Sequence, residues 1–404
     1  MKPKPQPPLK SAHSLLPAFL AFGLLFVQPR HGFAQPVPSG VGHINNGGTA
    51  FGVAVSGSHC YLANYADGLR VYDVSDPLNP VNVGHTNNGA LAYDVVASGS
   101  YVYLANGADG LRIYDVSDPS NPANVGHANS GGAAYGIAVV SNYCYLASSG
   151  DGLRIYDVSN PANPISLGHI NHNPGTVKVA VSGHYAYVTA GSTLYIDDVS
   201  DPSNPLQVGY TNISGVIGVA VSGNYAYLGT DHGLEIHDVS DPAHPFAVLR
   251  RMTNYNRSFA GTRVWDVKVF GQYAYLAHDS EGLRIDEISD PAHVLNVGFA
   301  GSVAIANAVA ILGGYAYLAN DTDGLRIYSL GMPQPPTLAI SRDSTGVLCA
   351  WPSNSAAFYL QSNNTVGTTN WSKGISPPVI SNMHQVHFSI QPTNVFFRLK
   401  FPSP

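Results

Sequence analysis

Charge is scarce in this chain: only 11% of its 404 residues are Asp, Glu, Lys or Arg. Such a surface is covered by Ser, Asn, Thr and Tyr, unlike the charge-rich surface of an average soluble protein. The few charges also carry the wrong sign for some partners. Lys and Arg number 19 against 25 acidic residues, so nothing favours phosphate backbones, and no nucleic-acid partner is expected. Cysteine is limited to Cys60, Cys144 and Cys349, an odd number too small for a disulfide framework. None of the three lies beside a His-bearing motif of a known catalytic type, which argues against a catalytic thiol. Long apolar runs are missing too. The run from Leu15 to Val27 has 13 residues and contains a Pro, short of the roughly 20 that cross a bilayer.

That short run has another reading. Lys2, Lys4 and Lys10 precede it, and Gly32-Phe33-Ala34 follows with small residues where a signal peptidase reads. Residues 1–34 are therefore expected to be a signal peptide, which places the protein outside the cytoplasm: secreted or in the cell envelope. Removal of Lys2, Lys4, Lys10 and Arg30 lowers Lys plus Arg to 15 against 25 acidic residues, a mature net charge of −10. Anionic membrane surfaces become poor partners as well, and no membrane span remains after cleavage.

Glycine and proline are plentiful, 42 and 29 residues, and they recur in a pattern. "YLANYADGLRVYDVSDPLNP" (Tyr61 to Pro80) returns as "YLANGADGLRIYDVSDPSNP" (Tyr103 to Pro122). Seven copies are anchored at Leu69, Leu111, Leu153, Leu194, Leu234, Leu283 and Leu325, with spacings of 42, 42, 41, 40, 49 and 42 residues. A period of about 40–45 residues holding four short strands marks β-propeller blades. In the second copy the strands read as Ala92 to Ala97, Tyr101 to Ala105, Leu111 to Val116 and Ala123 to His127. Ser-Gly and Asp-Gly turns separate the first three, and Asp118-Pro119-Ser120-Asn121-Pro122 turns into the fourth. In/out alternation is weak in the first two strands, as expected where both faces of a blade are covered.

The fourth-strand motif first occurs at Val41-Gly42-His43, before the first repeat, and none follows the seventh. The segment Ser39 to Asn45 is therefore expected to complete the last blade and remove the open edges of the ring.

"GLRIYDVSDPSNP" (Gly110 to Pro122), with strand pairs such as "VAVSGNYAYL" (Val219 to Leu228), resembles the LVIVD repeats of bacterial secreted and surface proteins. The resemblance extends from Ser39 to Leu330 and implies the propeller fold; it brings no catalytic residues with it. The fourth copy departs at Ser192-Thr193-Leu194-Tyr195, the fifth at Leu234-Glu235, and the seventh at Tyr328-Ser329-Leu330. The fold class is all-β: a seven-bladed propeller over residues 35–332, then a C-terminal module over residues 333–404. Five strand-like stretches of that module, with Trp351, Phe358, Phe388 and Phe397 as anchors, resemble a small fibronectin type III-like β-sandwich.

Repeated residues read mostly as architecture. Cys60 and Cys144 share a position held elsewhere by Val102, Ala186, Ala226, Ala274 and Ala316, a small buried apolar site. Asp73, Asp115, Asp157, Asp198 and Asp238 recur at one strand position, to bind turn amides or pair with Arg70, Arg112 or Arg154. Asp321-Thr322-Asp323-Gly324 reads as a hairpin turn rather than a calcium loop, which needs about six to eight oxygens. His43, His85, His127 and His169 stand one per blade, too far apart to share a metal. Asn87, Asn88 and Asn129 offer a polar surface. No metal site and no cofactor are expected.

Positions where the repeats disagree are more informative. The innermost strands begin with Gly52, Asp94, Gly136, Lys178, Gly218, Asp266 and Ala308. Before them stand Phe51, Tyr93, Tyr135, Val177, Ile217, Trp265 and Asn307. Asp94, Lys178 and Asp266, with Tyr93, Tyr135 and Trp265, make a candidate ligand site at one mouth of the channel; the rings could equally pack between blades. The long sixth spacing holds Arg250, Arg251, Arg257 and Arg263, and Arg257 and Arg263 join the candidate site because loops on rigid scaffolds carry binding. Two functions follow. One is a non-catalytic exported binding or scaffold protein that holds a glycan, peptide or envelope partner. The other is a polysaccharide lyase or hydrolase with Asp94 or Asp266 as acid/base and Lys178 or Arg263 stabilising charge.

Overall fold

The computed structural model describes residues 37–331, apart from 46, 173–174 and 250–262, together with the strands of the segment that follows. Blade one shows how the repeat folds. Its strands are Gly52–Ser56, His59–Ala63, Leu69–Asp73 and Val81–Thr86, joined as an antiparallel meander. Gly57 makes the first hairpin at φ 57°, in the left-handed region that tight turns require. In the second strand Cys60, Tyr61, Leu62 and Ala63 are all buried, because neighbouring blades cover both faces. The core accordingly lies between blades. Leu69 and Val71 of blade one pack with Val95, Val102, Leu104 and Tyr114 of blade two. The same arrangement recurs around the ring.

In blades one, two and seven the first strand starts at Gly52, Asp94 and Ala308, in blade two at Asp94 rather than the expected Ala92. Ala92 forms instead an antiparallel bridge to Tyr65, in the turn between the second and third strands of blade one. Gly107 bridges Ala134 and Asp321 bridges Ala50 in the same way. These bridges join consecutive blades at the end of the disk where the first strands begin.

A second contact joins blades at the rim. The fourth-strand glycine of a blade faces the proline carbonyl of the next blade's Asp-Pro or Asn-Pro turn. A Cβ at Gly84 would sit 2.1 Å from Pro119 O, at Gly126 2.0 Å from Pro161 O, and at Gly209 1.9 Å from Pro242 O. The two most repetitive motifs of the sequence are thus the two halves of one contact.

Ring closure uses the same device. Ser39–Ile44 pairs antiparallel with Leu325–Ser329, as the outermost strand of a sheet completed by Tyr315–Ala319 and Ala308–Leu312. Gly42 meets Pro77 O of blade one, 2.0 Å from the position of an added Cβ. Seven four-stranded sheets result, one per repeat.

The repeated Asp residues at the ends of the third strands bind turn amides. Asp73 accepts from Ser75 N at 2.8 Å, and Asp115, Asp157, Asp198 and Asp238 accept from the corresponding Ser amides. The Arg residues pair elsewhere, within the second hairpin of their own blade: Arg70 with Asp67 at 2.5 Å, Arg112 with Asp109 at 2.5 Å, and Arg154 with Asp151. In the Asp321-Thr322-Asp323-Gly324 turn, Asp323 pairs with Arg326 and accepts from Asn320 Nδ2 at 2.8 Å. Cys60 and Cys144 are buried and unbridged. After residue 338, six strands form a four-stranded and a two-stranded antiparallel sheet. The expected anchor Phe358 lies outside the described residues, as does the leader.

Candidate functional site at the channel mouth

The inner ring is too crowded for a side chain in every blade. A Cβ on Gly52 would lie 2.8 Å from Asp94 Cα, one on Gly136 2.8 Å from Lys178 Cα, and one on Gly218 3.1 Å from Asp266 Cα. Charged residues stand on blades two, four and six, with glycine on blades one, three and five and Ala308 on blade seven.

Those three charges converge across the channel. Lys178 Nζ donates to Asp94 Oδ2 at 2.8 Å, passing from blade four to blade two. Asp94 also accepts from Ile137 N at 3.3 Å and Val95 N at 3.0 Å. Asp266, almost fully buried, accepts from Val309 N at 3.1 Å and from Lys268 Nζ at 3.4 Å. Burial works against the Lys178 ammonium, but the charges of Asp94 and then Asp266 outweigh it and hold the amine above the usual lysine range. The charges are thus compensated at the axis, Asp94 tying together blades two, three and four and Asp266 tying blade six to blade seven.

Beside it lies an aromatic wall. The ring centroids of Tyr93 and Tyr135 are 4.5 Å apart, and those of Phe51 and Tyr93 5.4 Å. Tyr65 completes it, 5.2 Å from Phe51 and 5.5 Å from Tyr93. All four side chains are partly exposed. Burial, then hydrogen bonding to Tyr65, pushes the Tyr93 phenol well above the usual tyrosine range, so the wall is uncharged. Sequence reasoning passed over Tyr65 because it sits in a turn rather than on an inner strand. The signal was nonetheless present: corresponding copies carry Gly107 and Asp321.

Trp265, from blade six, is covered by the Arg263 guanidinium, 4.7 Å from the ring centroid, while Arg263 Nε donates to Asp231 at 2.5 Å. Arg263 is thereby fixed against the scaffold; Arg257 lies outside the described residues. Asn307 ties the ring together by donating to Ala50 O at 2.9 Å. The outer His and Asn residues close turns. His85 Nε2 meets Asp67 O at 2.7 Å, Asn87 Nδ2 donates to Ala66 O at 2.8 Å, and Asn129 Oδ1 accepts from Gly131 N at 3.0 Å.

Blades four to six lose the buried tyrosine of Tyr72, Tyr114 and Tyr156 and carry Asp197, His237 and Asp286 instead. Tyr156 OH donates to Asn129 O at 3.0 Å. In blade four that space holds a pair: His172 Nε2 lies 2.7 Å from Asp197 Oδ2, with the imidazole stacked on Tyr195. Burial raises the Asp197 carboxyl above its usual range despite the histidine.

A closed ring of seven four-stranded repeats defines a seven-bladed β-propeller repeat protein. Its repeats match the model of the LVIVD repeat over residues 47–88, 89–130, 131–171, 175–212, 216–253, 261–299 and 304–328, and the chain belongs to that family. Among solved structures it is similar to the WD40 repeats of RRP9, at 13% identity and a TM-score of 0.57 over 73% of this chain and 99% of that one. U3-55K is similar at 12% identity and TM-score 0.58 over 73% and 100% of the two chains. The computationally designed Ika8 protein aligns at 10% identity and TM-score 0.53, covering 78% of this chain and 96% of its own. These likenesses concern the fold. A comparison with curated proteins returns no significant match.

Proposed function

We propose that this propeller is an exported, non-catalytic binding protein that holds a glycan, peptide or other envelope partner on the face where its first strands begin. The observation that carries this reading is the aromatic wall of Phe51, Tyr65, Tyr93 and Tyr135, partly exposed beside a charge cluster that is internally compensated. Exposed rings on a rigid scaffold are binding elements. Catalysis is disfavoured by the engagement of Asp94 and Asp266: each already accepts from a backbone amide and a lysine, the directions a general base would use. Export rests on the leader-like residues 1–34, and the C-terminal strands are assigned to a fibronectin type III-like sandwich that serves as spacer or accessory adhesin.

The test is to incubate the chain from residue 35 onward with immobilised glycans and with cell-envelope fractions, and to assay the supernatant for released sugar ends or peptides. Retention without release is the expected result. Product accumulating with time would return the assignment to a lyase or hydrolase.

A further inference from the structure

Tyr65 occupies a backbone position that tyrosine does not favour. Its φ is 50°, in the left-handed region where a Cβ meets steric opposition. The fold demands that conformation there, because Tyr65 N donates to Ala92 O and Ala92 N to Tyr65 O, both at 3.0 Å, to bridge blades one and two. The equivalent bridges use Gly107 at φ 55° and Asp321 at φ 47°. Glycine meets the requirement without strain, and Asp is among the residues that tolerate it. Architecture alone therefore gives no reason for a large ring at this place, and an outlier of this kind is a reason to look for function.

The surroundings say which function. The Tyr65 ring meets Phe51 at an interplanar angle of 43° and Tyr93 at 75°, and Tyr135 lies edge-on to Tyr93 at 61°. The rings meet at tilted and edge-on angles rather than in a parallel stack, and each keeps part of its surface in solvent. Asp94, next to Tyr93, is occupied by Lys178, so it is not a free carboxylate that would recruit a cation. What remains is uncharged aromatic surface edged by phenolic hydroxyls. A pyranose ring offers the complement: C–H groups on its flat face and hydroxyls around its edge.

We propose that Tyr65, with Phe51, Tyr93 and Tyr135, is a stacking platform for a neutral pyranose of a glycan chain. This rests on the reading of that face as the binding face and deepens it by naming the ligand class. Tyr65 is then a contact residue, kept against its own backbone preference.

The substitutions Tyr65→Gly and Tyr65→Asn restore residues that accept the left-handed bridge. Cellohexaose and chitohexaose, whose equatorial substituents leave the ring faces open, serve as probes in titration calorimetry, with hexagalacturonate as an acidic comparison and Arg263→Ala as a comparison variant. The expected result is that both Tyr65 variants keep or raise the melting temperature and lose about tenfold or more in affinity for a neutral hexasaccharide. Tyr65→Phe, which keeps the ring, should stay within about threefold of the parent. A fall in melting temperature for both Gly and Asn as large as that of Tyr72→Ala, a core change, would show that Tyr65 is packing and overturn the proposal. Hexasaccharide binding indifferent to Tyr65 would overturn it too. If the parent binds neither neutral hexasaccharide but retains hexagalacturonate or an envelope peptide through Arg263, the platform falls and the binding face stands. Loss of neither Tyr65 nor Arg263 mattering to a bound partner would remove both.

Discussion

Substituting Gly126 by Ala tests whether the rim contact between blades holds the ring together. The added Cβ would stand 2.0 Å from Pro161 O and 3.2 Å from both Ile113 Cβ and Cδ1. Both Gly126 and the Pro161 carbonyl are backbone, so no rotamer change relieves the contact. The blades must part by about 1 Å, and overpacking of this kind costs about 3 kcal/mol, the upper end of the usual range. With an unfolding entropy of about 2.1 cal/mol/K per residue over roughly 290 residues, that is a fall of about 5 °C in Tm. Gly99→Ala is the control. Gly99 has φ 60° and open space around the would-be Cβ, so its cost is backbone strain alone, about 1 kcal/mol or under 2 °C. Differential scanning calorimetry of the two variants decides the matter: equal shifts, or a larger one at Gly99, would refute the idea that the fourth-strand glycine and the next blade's proline turn form one interlocking contact. Gly42→Ala aims the same clash at the closing strand, which can peel from Leu325–Ser329 without opening another blade. Faster amide exchange at residues 39–44 is expected there, with less change in Tm.

Deleting residues 39–45 should expose the edge of Leu325–Ser329 and lower Tm or promote aggregation, checked by light scattering during a melt; a truncation as monodisperse and stable as the parent would refute the clasp. The hydrogen bond from Arg112 holds the Asp109 carboxyl below the usual carboxylate range. Because the folded pKa is the depressed one, its contribution is present above the unfolded value near 4 and is lost as pH falls through the folded value. Asp109→Asn should therefore lower Tm at pH 7, the gap to the parent closing as pH falls from the unfolded value through the folded one; a gap that stays constant in melts from pH 7 into the acid range would contradict the assignment. Burial pushes the Cys60 and Cys144 thiols far up, so labelling by a maleimide should be slow in the native protein and complete on unfolding, and rapid native labelling would contradict their packing role. Removing one partner of the buried pair, as in His172→Ala, should cost about 3 kcal/mol or more by leaving Asp197 uncompensated. Rebuilding the repeat with Asp197→Tyr and His172→Ser should recover that loss, measured by denaturant unfolding.

The ring was legible in the sequence because repetition converts weak local signals into a strong one. One Val-Gly-His is uninformative, but its appearance before the first repeat and absence after the seventh fixes the closing strand at Val41 to His43, where Ser39–Ile44 is found. The reason for its glycine was not legible, since Pro77 O and Gly42 meet only when the ring closes. The role of the repeated Asp, Asp115 in blade two, was likewise open between binding turn amides and pairing with Arg112. It is settled by a hairpin that puts Asp109, and not Asp115, beside Arg112.

The candidate site divides along the same line. Charges on alternating first strands were readable as exceptions to the repeat, yet their mutual compensation depends on Lys178 spanning from blade four to blade two, over a glycine that leaves the path open. A position-by-position comparison of copies finds such residues; it does not say which of them face one another. Tyr65 shows the complementary failure. It differs from Gly107 and Asp321 as plainly as Asp94 differs from Gly52, but its meaning depends on a bridge to Ala92 that forces φ to 50°. Once the repeat shows glycine suffices for that bridge, the tyrosine stands apart from the architecture, and the weight of the functional reading moves from the paired charges to the aromatic wall beside them.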